Sequence, residues 1–537
     1  MEPACRIGSP ATAGCEAALI QLDYLERNMF DDLIQEHEEL RRKVLSMGGE
    51  RKLQQRAQEG VLNARERIDR LVDPGTFHEM GLFATSIRPE MRERSAADGK
   101  VTGYGKINGR DVAVVSNDFT VMGASSSSVN TRKVGYVKRV ATRHGMPMIF
   151  LGESTGARMP DVMGASGVGS GDRPTQYLRT RETPWVSAVL GHCYGSSSWY
   201  AALGDFVVMR KGAITAVSSV KLTARAINEE VDPETLGGWK LHTEVTGMVD
   251  LAVDTDEQAL DAIGRFLSYL PSHHNEPPPV CPVPEGSGDD IARILDILPS
   301  ARAQVYDVRK ILNLIYDKDS IFELKPRFGK SIVTALARLG GRSVGIVANN
   351  PIHKGGAIDP QACRKAVSFM ILCDSFNIPL VFMVDQPGFL IGVEGERQGA
   401  IGHVMNWMNA ISLVTVPKIS VVMRKTYGQA VLNMGGGGNA DEVINWFTAE
   451  VNFMDPRSAV SIVHGVTEAD DPEQYKQLLE QMTKGTSAYD AAAVFGAQSV
   501  IHPAQTRAHL TRSLEIHGMR LTGGVGEHLM RTWPTSH

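Results

Sequence analysis

The sequence holds no Cys-x-x-Cys pair, and its six cysteines, at 5, 15, 193, 281, 363 and 373, are scattered. That pattern argues against a zinc ribbon or a disulfide framework and for a reducing compartment. No run of 18 or more apolar residues occurs, so nothing reads as a membrane span. Residues 1–21 lack a basic segment followed by an apolar one, which argues against a secretory signal. They are also too poor in Arg and Ser for a transit peptide, and a cytoplasmic location is expected. There is no basic excess: the net charge is −5 over 537 residues, which speaks against nucleic acid as a partner. His-Glu-x-x-His, Gly-x-Ser-x-Gly and Walker A motifs are all missing, so neither a metal site nor a serine nucleophile is expected. What remains is an ordinary globular composition, 42% hydrophobic and 22% charged.

What is present is a long internal repeat. Gly341-Arg342-Ser343-Val344-Gly345-Ile346-Val347-Ala348-Asn349 repeats Gly109-Arg110-Asp111-Val112-Ala113-Val114-Val115-Ser116-Asn117, shifted by 232 positions. The offset holds without a gap from 101–156 to 333–388, with 13 identities in 56 positions. Most other pairs are conservative, such as Glu153 with Asp385. A repeat of this length implies two copies of one domain.

Read in order, 1–24 is a weakly patterned tail, expected to be mobile. From 22 to about 70 the chain is charged, with Leu22, Leu25, Met29, Leu33, Leu40 and Val44 at helical spacing. The charges of 65–75 read as a solvated face. In the first copy, 112–116 is a buried strand, 132–144 a helix and 146–151 a second strand, a βαβ unit with a parallel sheet. Residues 152–171 read as a glycine-rich loop, and 188–209 as strand, turn, helix and strand. The Pro-rich stretch 271–288 is the clearest linker. The second copy repeats the pattern: strand 344–347, helix 362–376, strand 379–384, strand 419–422, then a turn opening a helix. Closing helices are expected over 471–482 and 506–514. The expected domains are 25–276 and 291–537, joined by 277–290.

Each copy carries two glycine-bearing turns between a strand and a helix. They are Ser154-Thr155-Gly156-Ala157-Arg158 and Tyr194-Gly195 in the first, Pro387-Gly388 and Tyr427-Gly428 in the second. Such turns aim free backbone N–H groups at a phosphate or a developing oxyanion. A single glycine turn more often serves φ > 0 or close packing. Four at matched places point to a paired site.

The run Ala64-Arg65-Glu66-Arg67-Ile68-Asp69-Arg70-Leu71-Val72-Asp73-Pro74-Gly75-Thr76-Phe77 resembles the N-terminal signature of the carboxyltransferase (β) subunits of biotin-dependent acyl-CoA carboxylases. So do Val101-Thr102-Gly103-Tyr104-Gly105, Gly156-Ala157-Arg158, Val384-Asp385-Gln386-Pro387-Gly388-Phe389-Leu390 and Arg424-Lys425-Thr426-Tyr427-Gly428. The similarity runs from about residue 25 to the end and is strongest to the propionyl-CoA carboxylase branch. It implies an α/β fold of two tandem crotonase-like domains (the ClpP/crotonase superfamily), each a β-β-α superhelix, after an N-terminal helical extension. It implies transfer of CO₂ from N1′-carboxybiotin to the α-carbon of an acyl-CoA, with no dedicated side-chain base. Biotin comes on a separate subunit, because the sequence has no Met-Lys-Met biotinylation site and no ATP-grasp-like half. ATP and bicarbonate are used by that biotin carboxylase/biotin carrier (α) partner, and a homo-hexameric core is implied.

Carried over residue by residue, the thioester oxyanion turn is Thr155-Gly156 and the biotin carbonyl turn Gln429-Ala430. Gly388, Phe389, Tyr427 and Gly428 fall on the biotin side. Ala157, Arg158 and Leu432 fall on the acyl-CoA, and Lys325, Arg327, Lys330 and Arg342 are candidates for CoA phosphates, against a solvated basic face. The family usually has Gly-Gly where Thr155-Gly156 stands and Gly-Ala where Gln429-Ala430 stands. Backbone N–H groups survive both changes, although a β-branched residue at the first turn can narrow it or re-aim a donor. Leu432 occupies the position that tunes acyl-chain choice. Two further readings share the fold: a biotin-dependent decarboxylase of a malonyl-type CoA, and a non-catalytic assembly subunit.

Overall fold

The computed structural model describes residues 30–165 and 177–534. The tail 1–24, with Leu22, Leu25 and Met29 and the end of the glycine-rich loop at 166–171, lies outside them.

The first copy opens on α1 (Ala64–Leu71), started by a capping box. Asn63 accepts from the Arg65 and Glu66 N–H groups, and the Glu66 side chain takes the Asn63 N–H. Then come β1 (His78–Met80), β2 (Lys100–Ile107), β3 (Arg110–Asn117), α2 (Ser128–His144), β4 (Met148–Ser154), β5 (Trp185–Tyr194), α3 (Ser196–Ala202), β6 (Phe206–Arg210), β7 (Ile214–Ala216), β8 (Leu251–Val253) and α4 (Asp256–Tyr269). The second copy runs α5 (Val308–Ile315), β9 (Phe322–Leu324), β10 (Ile332–Leu339), β11 (Arg342–Asn349), α6 (Pro360–Ser375), β12 (Leu380–Gln386), β13 (Lys418–Tyr427), α7 (Ala430–Asn433), β14 (Glu442–Trp446), β15 (Glu450–Asn452), α8 (Ala488–Ala493), β16 (Ser499–Ile501) and α9 (Thr506–Gly518).

The two sheets share one topology. The first is ordered β1-β2-β3-β4-β5-β6-β8 with β7 on β5; the second is β9-β10-β11-β12-β13-β14-β16 with β15 on β13. In each, the first three strands are antiparallel and the rest parallel. α2 begins earlier than its apolar spacing indicates, at Ser128, because Ser127 caps the Asn130 N–H and Asn130 returns to Ser127. The segment 277–290 has neither helix nor strand, yet it lies on the second sheet, where the Cys281 N–H donates to Gly341 O at 2.9 Å.

The structural repeat extends further upstream than the sequence repeat. α1 and β1 recur as α5 and β9 at an offset of 244, not 232. Arg65 grips Glu79 with two bonds, from Nη1 and Nη2, and Arg309 grips Glu323 with two, from Nε and Nη2. The reading of the charges of 65–75 as a solvated face holds for the exposed Glu66, Asp69 and Arg70 but is corrected at Arg67, which is 0% exposed and joins Glu153 and Asp256, each at 2.9 Å. A helix near a domain's start is covered when a long-range acid is waiting, which charge patterning alone does not show.

One hydrophobic core runs through both copies. Phe206 stacks on Phe266 at 4.7 Å and meets Phe322 of the second copy at 5.5 Å. Close backbone approach fixes the first hairpin: a Cβ on Gly103 would lie 2.2 Å from His78 O. Gly103→Ala is expected to part β1 from β2 and cost about 1–3 kcal/mol, read from the urea midpoint.

Two buried lysines occupy equivalent places. Lys133 donates to Ala97 O and Lys100 O, and Lys365 to Phe328 O and Ile332 O. Burial pushes Lys133 down to about 8 and Lys365 down to about 7. An unfolded lysine titrates at about 10.4. Between those values the unfolded chain binds the extra proton, so stability rises with pH. Wild-type protein is expected to gain stability over Lys365→Met as pH goes from about 7 to about 8.5, measured by paired urea titrations.

Candidate active site

The four predicted turns stand at the carboxyl ends of the central parallel strands, where ligands bind in open α/β sheets. All four glycines need a left-handed backbone: φ is 102° at Gly156, 61° at Gly195, 126° at Gly388 and 68° at Gly428. Within each copy the two turns are neighbours. A Cβ built on Gly195 would lie 3.6 Å from Gly156 Cα, and one on Gly388 would lie 3.9 Å from Tyr427 O.

The backbone around the first turn is nearly fully bonded. The Thr155 N–H donates to Gly123 O at 2.9 Å, and the Gly156 N–H to Ser154 Oγ at 3.1 Å. Gly156 O and the Arg158 N–H bridge to Ser126. The Ala157 N–H, between them, has no partner among the described residues. The second copy is built alike: Gly388 O and the Leu390 N–H bridge to Ile358, leaving the Phe389 N–H unpaired among the described residues. On the adjoining turns, the N–H groups at the starts of α3 and α7, at Ser196 and Ser197 and at Gln429 and Ala430, are unpaired among the described residues, as helix geometry requires. α7 is a single turn of four residues, so these N–H groups act locally and no macrodipole of consequence stands behind them. The free donor of the first turn is thus Ala157, one position past the Thr155-Gly156 pair. Thr155 does not enter the left-handed region and Gln429 keeps φ −66°, so neither side chain strains its turn.

A clamped carboxylate precedes each turn. Both β4 and β12 shift register against their neighbours here, between Gly152 and Ser154 and between Val384 and Gln386. The residue at the irregularity is Glu153 in one and Asp385 in the other. Glu153 receives Arg56 through two bonds of 2.6 Å and Arg67 at 2.9 Å. Asp385 receives Tyr306 at 2.9 Å, Arg424 at 3.0 Å and Lys425 at 2.8 Å. The sequence pairs these two acids but gives no hint of their partners.

Other predicted residues are placed differently. The Arg158 guanidinium is buried and joins Asp98, Asp161 and Ser125, so it shapes the loop under the turn and does not face a ligand. Lys325 is 8% exposed and holds Gly247 O and Asp250, which engages two of its three ammonium N–H groups. Arg327 is exposed, pairs with Glu244 at 2.8 Å and lies 5.0 Å over Trp239. Lys330 is exposed, and Arg342 stands at the start of β11, the opposite end of the sheet from the turns. Tyr427 is buried, its hydroxyl on Glu450 and its carbonyl on Gln386 Nε2. Leu432 is half-buried against Gly437, where an added Cβ would lie 2.4 Å from its Cδ2.

The chain is an α/β protein of two similar sheets, each of crotonase-like fold with paired glycine turns at its strand ends. Residues 55–521 match the carboxyl transferase domain family, and the chain belongs to it. It is 37% identical over 504 residues to the propionyl-CoA carboxylase carboxyltransferase subunit of Haloferax mediterranei, covering 90% of this chain and 96% of that one. It is 34% identical over 494 residues to the methylmalonyl-CoA decarboxylase subunit alpha of Veillonella parvula, covering 89% and 94%. Among solved structures it superposes with a TM-score of 0.84 on the transcarboxylase 12S hexamer with methylmalonyl-coenzyme A bound, at 33% identity, covering 91% and 95%.

Proposed function

We propose that this chain is the carboxyltransferase subunit of a biotin-dependent acyl-CoA carboxylase, moving a carboxyl group between biotin on a separate chain and the α-carbon of an acyl-CoA. The observation that carries the reading is the pair of donor turns present twice: Ala157 beside Ser196, and Phe389 beside Gln429 and Ala430. Two ligands that each develop an oxyanion need two such sites, and a fixed N–H in a dry site stabilises that charge without reorganising. The first pair faces the thioester oxygen. The second fits the ureido oxygen of biotin, because unpaired N–H donors and a neutral backbone suit a carbonyl that gains charge. Carboxybiotin supplies the CO₂, and the chain's part is to hold both oxygens and keep water out. Thr155 and Gln429 leave the unpaired donors in place, which supports a catalytic subunit over an assembly subunit.

The test is carboxylation of an acyl-CoA panel by the chain with a biotin carboxylase/biotin carrier partner, ATP and bicarbonate. Turnover that needs all of them supports the reading, and no product from any thioester sinks it. The decarboxylase direction is a second reading, favoured by the Veillonella parvula relative. Release of CO₂ from methylmalonyl-CoA onto a biotin protein, with no ATP-driven reverse, would select it. A homo-hexamer is also proposed. Exposed apolar residues along 391–405, with Ile391 at 89% and Ile401 at 72%, need covering. Light scattering is expected to give about six times 58.4 kDa.

A further inference from the structure

The two copies differ by one charge behind their turns. Lys100 opens β2 opposite Asn117 at the end of β3, and Ile332 opens β10 opposite Asn349 in the same register. Lys100 is 2% exposed, and its Nζ donates to Asn117 Oδ1 at 3.1 Å. A lysine can only donate, so this bond fixes which way the Asn117 amide faces. Asn117 Nδ2 then donates to Glu153 O at 2.9 Å and to Ser197 Oγ at 3.3 Å. Glu153 leads into the turn 154–158, and Ser197 stands at the start of α3. One buried amide thus ties together the two segments that carry the unpaired N–H groups of Ala157 and Ser196. In the second copy Asn349 Oδ1 accepts from the Asp385 N–H at 3.2 Å instead, and Ile332 brings no charge.

No carboxylate pairs with Lys100 among the described residues. Asp98 is held by Arg158 and Ser127, and the Glu153 carboxylate by Arg56 and Arg67. Lys133, the other ammonium nearby, holds Ala97 O and Lys100 O. Burial pushes the Cys193 thiol up to about 12, so it is neutral at neutral pH. Burial also pushes Lys100 down to about 8, which leaves it charged at neutral pH and uncharged above. A buried charge without a counter-charge is costly, and such groups gather at functional sites. The cations of the second copy, Arg424 and Lys425, are both taken by Asp385.

We propose that Lys100 is a positioning residue that, through Asn117, tunes the first turn to receive negative charge. The proposal rests on the carboxyltransferase reading, which puts the thioester oxygen at that turn. As the enolate forms, that oxygen gains charge, and a fixed ammonium behind the turn stabilises it without reorganising.

Calorimetric titration of the full-length chain with two CoA thioethers tests this. S-carboxymethyl-CoA carries a fixed anion one bond beyond the place of the thioester carbonyl, and S-carbamoylmethyl-CoA is its neutral isostere. At neutral pH the anion is expected to bind about tenfold tighter. That preference is expected to fade as pH rises through about 8 and Lys100 loses its proton. Near the midpoint, anion binding is expected to draw part of a proton onto the protein. Buffers of different ionisation heat report this uptake, with the neutral analogue as blank. Lys100→Met is expected to lose the preference, its pH dependence and the proton uptake, while keeping or raising Tm. Lys100→Gln keeps a donor for Asn117 without the charge and is expected to behave like the methionine variant. Equal binding of the two analogues to wild-type protein, or a preference that ignores pH, overturns the proposal. A preference retained in Lys100→Gln overturns the role of the charge. Failure of both analogues to bind takes the thioester from this turn and the proposal with it. Turnover on an acyl-CoA without the charge preference removes only this proposal. The charge preference without turnover on any acyl-CoA removes only the carboxyltransferase reading.

Discussion

Asp385→Ala is expected to destabilise the protein by about 3–5 kcal/mol, because it leaves buried positive charge without its counter-charge. Asp385 is 0% exposed and receives Tyr306, Arg424 and Lys425 together. Arg424 and Lys425 are themselves 6% and 8% exposed, so neither reaches bulk water without moving β13. Arg424 keeps bonds to Ala301 O and Gln304 O, and its Nη2 is already unpaired, so relaxation offers little relief. Asp385→Asn keeps an acceptor for the Tyr306 hydroxyl and the side-chain volume, and is expected to cost less than the alanine. Urea titrations of the three proteins give the comparison. A loss under about 1 kcal/mol for the alanine would mean that β13 opens to solvent and that the clamp is not what fixes the turn. Because the acid lies at the register shift before Gly388, transfer activity is expected to fall with stability.

Much of this architecture is legible in the sequence because it was written twice. The offset of 232 aligns residues that share a structural task, so Gly156 and Gly388 both appear at φ > 0 and Lys133 and Lys365 both hold strand carbonyls. The upstream half of the repeat was not legible at that offset, because the loop between β1 and β2 is longer than that between β9 and β10 and moves it to 244. One signal remains: Arg65 and Glu79 are 14 apart, as are Arg309 and Glu323. The identity of the free donors was not legible at all. The Thr155 N–H is taken by Gly123 O, about thirty residues away in the chain, and the Gly156 N–H by Ser154 Oγ, while the Ala157 N–H is taken by neither.

Ala157→Pro is expected to lower kcat by roughly 10²–10³-fold, the usual effect of removing one oxyanion donor. Proline removes a single N–H, and here that N–H makes no bond within the described residues. The bridge to Ser126 uses Gly156 O at 2.8 Å and the Arg158 N–H at 2.8 Å, both of which survive. The residue before proline avoids the right-handed helical region, and Gly156, at φ 102°, is already elsewhere. Tm is therefore expected to move by only a few degrees, and KM for the acyl-CoA little, since the donor matters most where charge develops. Ala157→Ser keeps the N–H and is expected to keep kcat. Full activity in Ala157→Pro would return the donor role to the Thr155-Gly156 pair, which would then have to release Gly123 O or Ser154 Oγ when substrate binds. A matching loss in Phe389→Pro, with acyl-CoA binding intact, would place the second oxyanion on the other copy and explain why the domain is present twice.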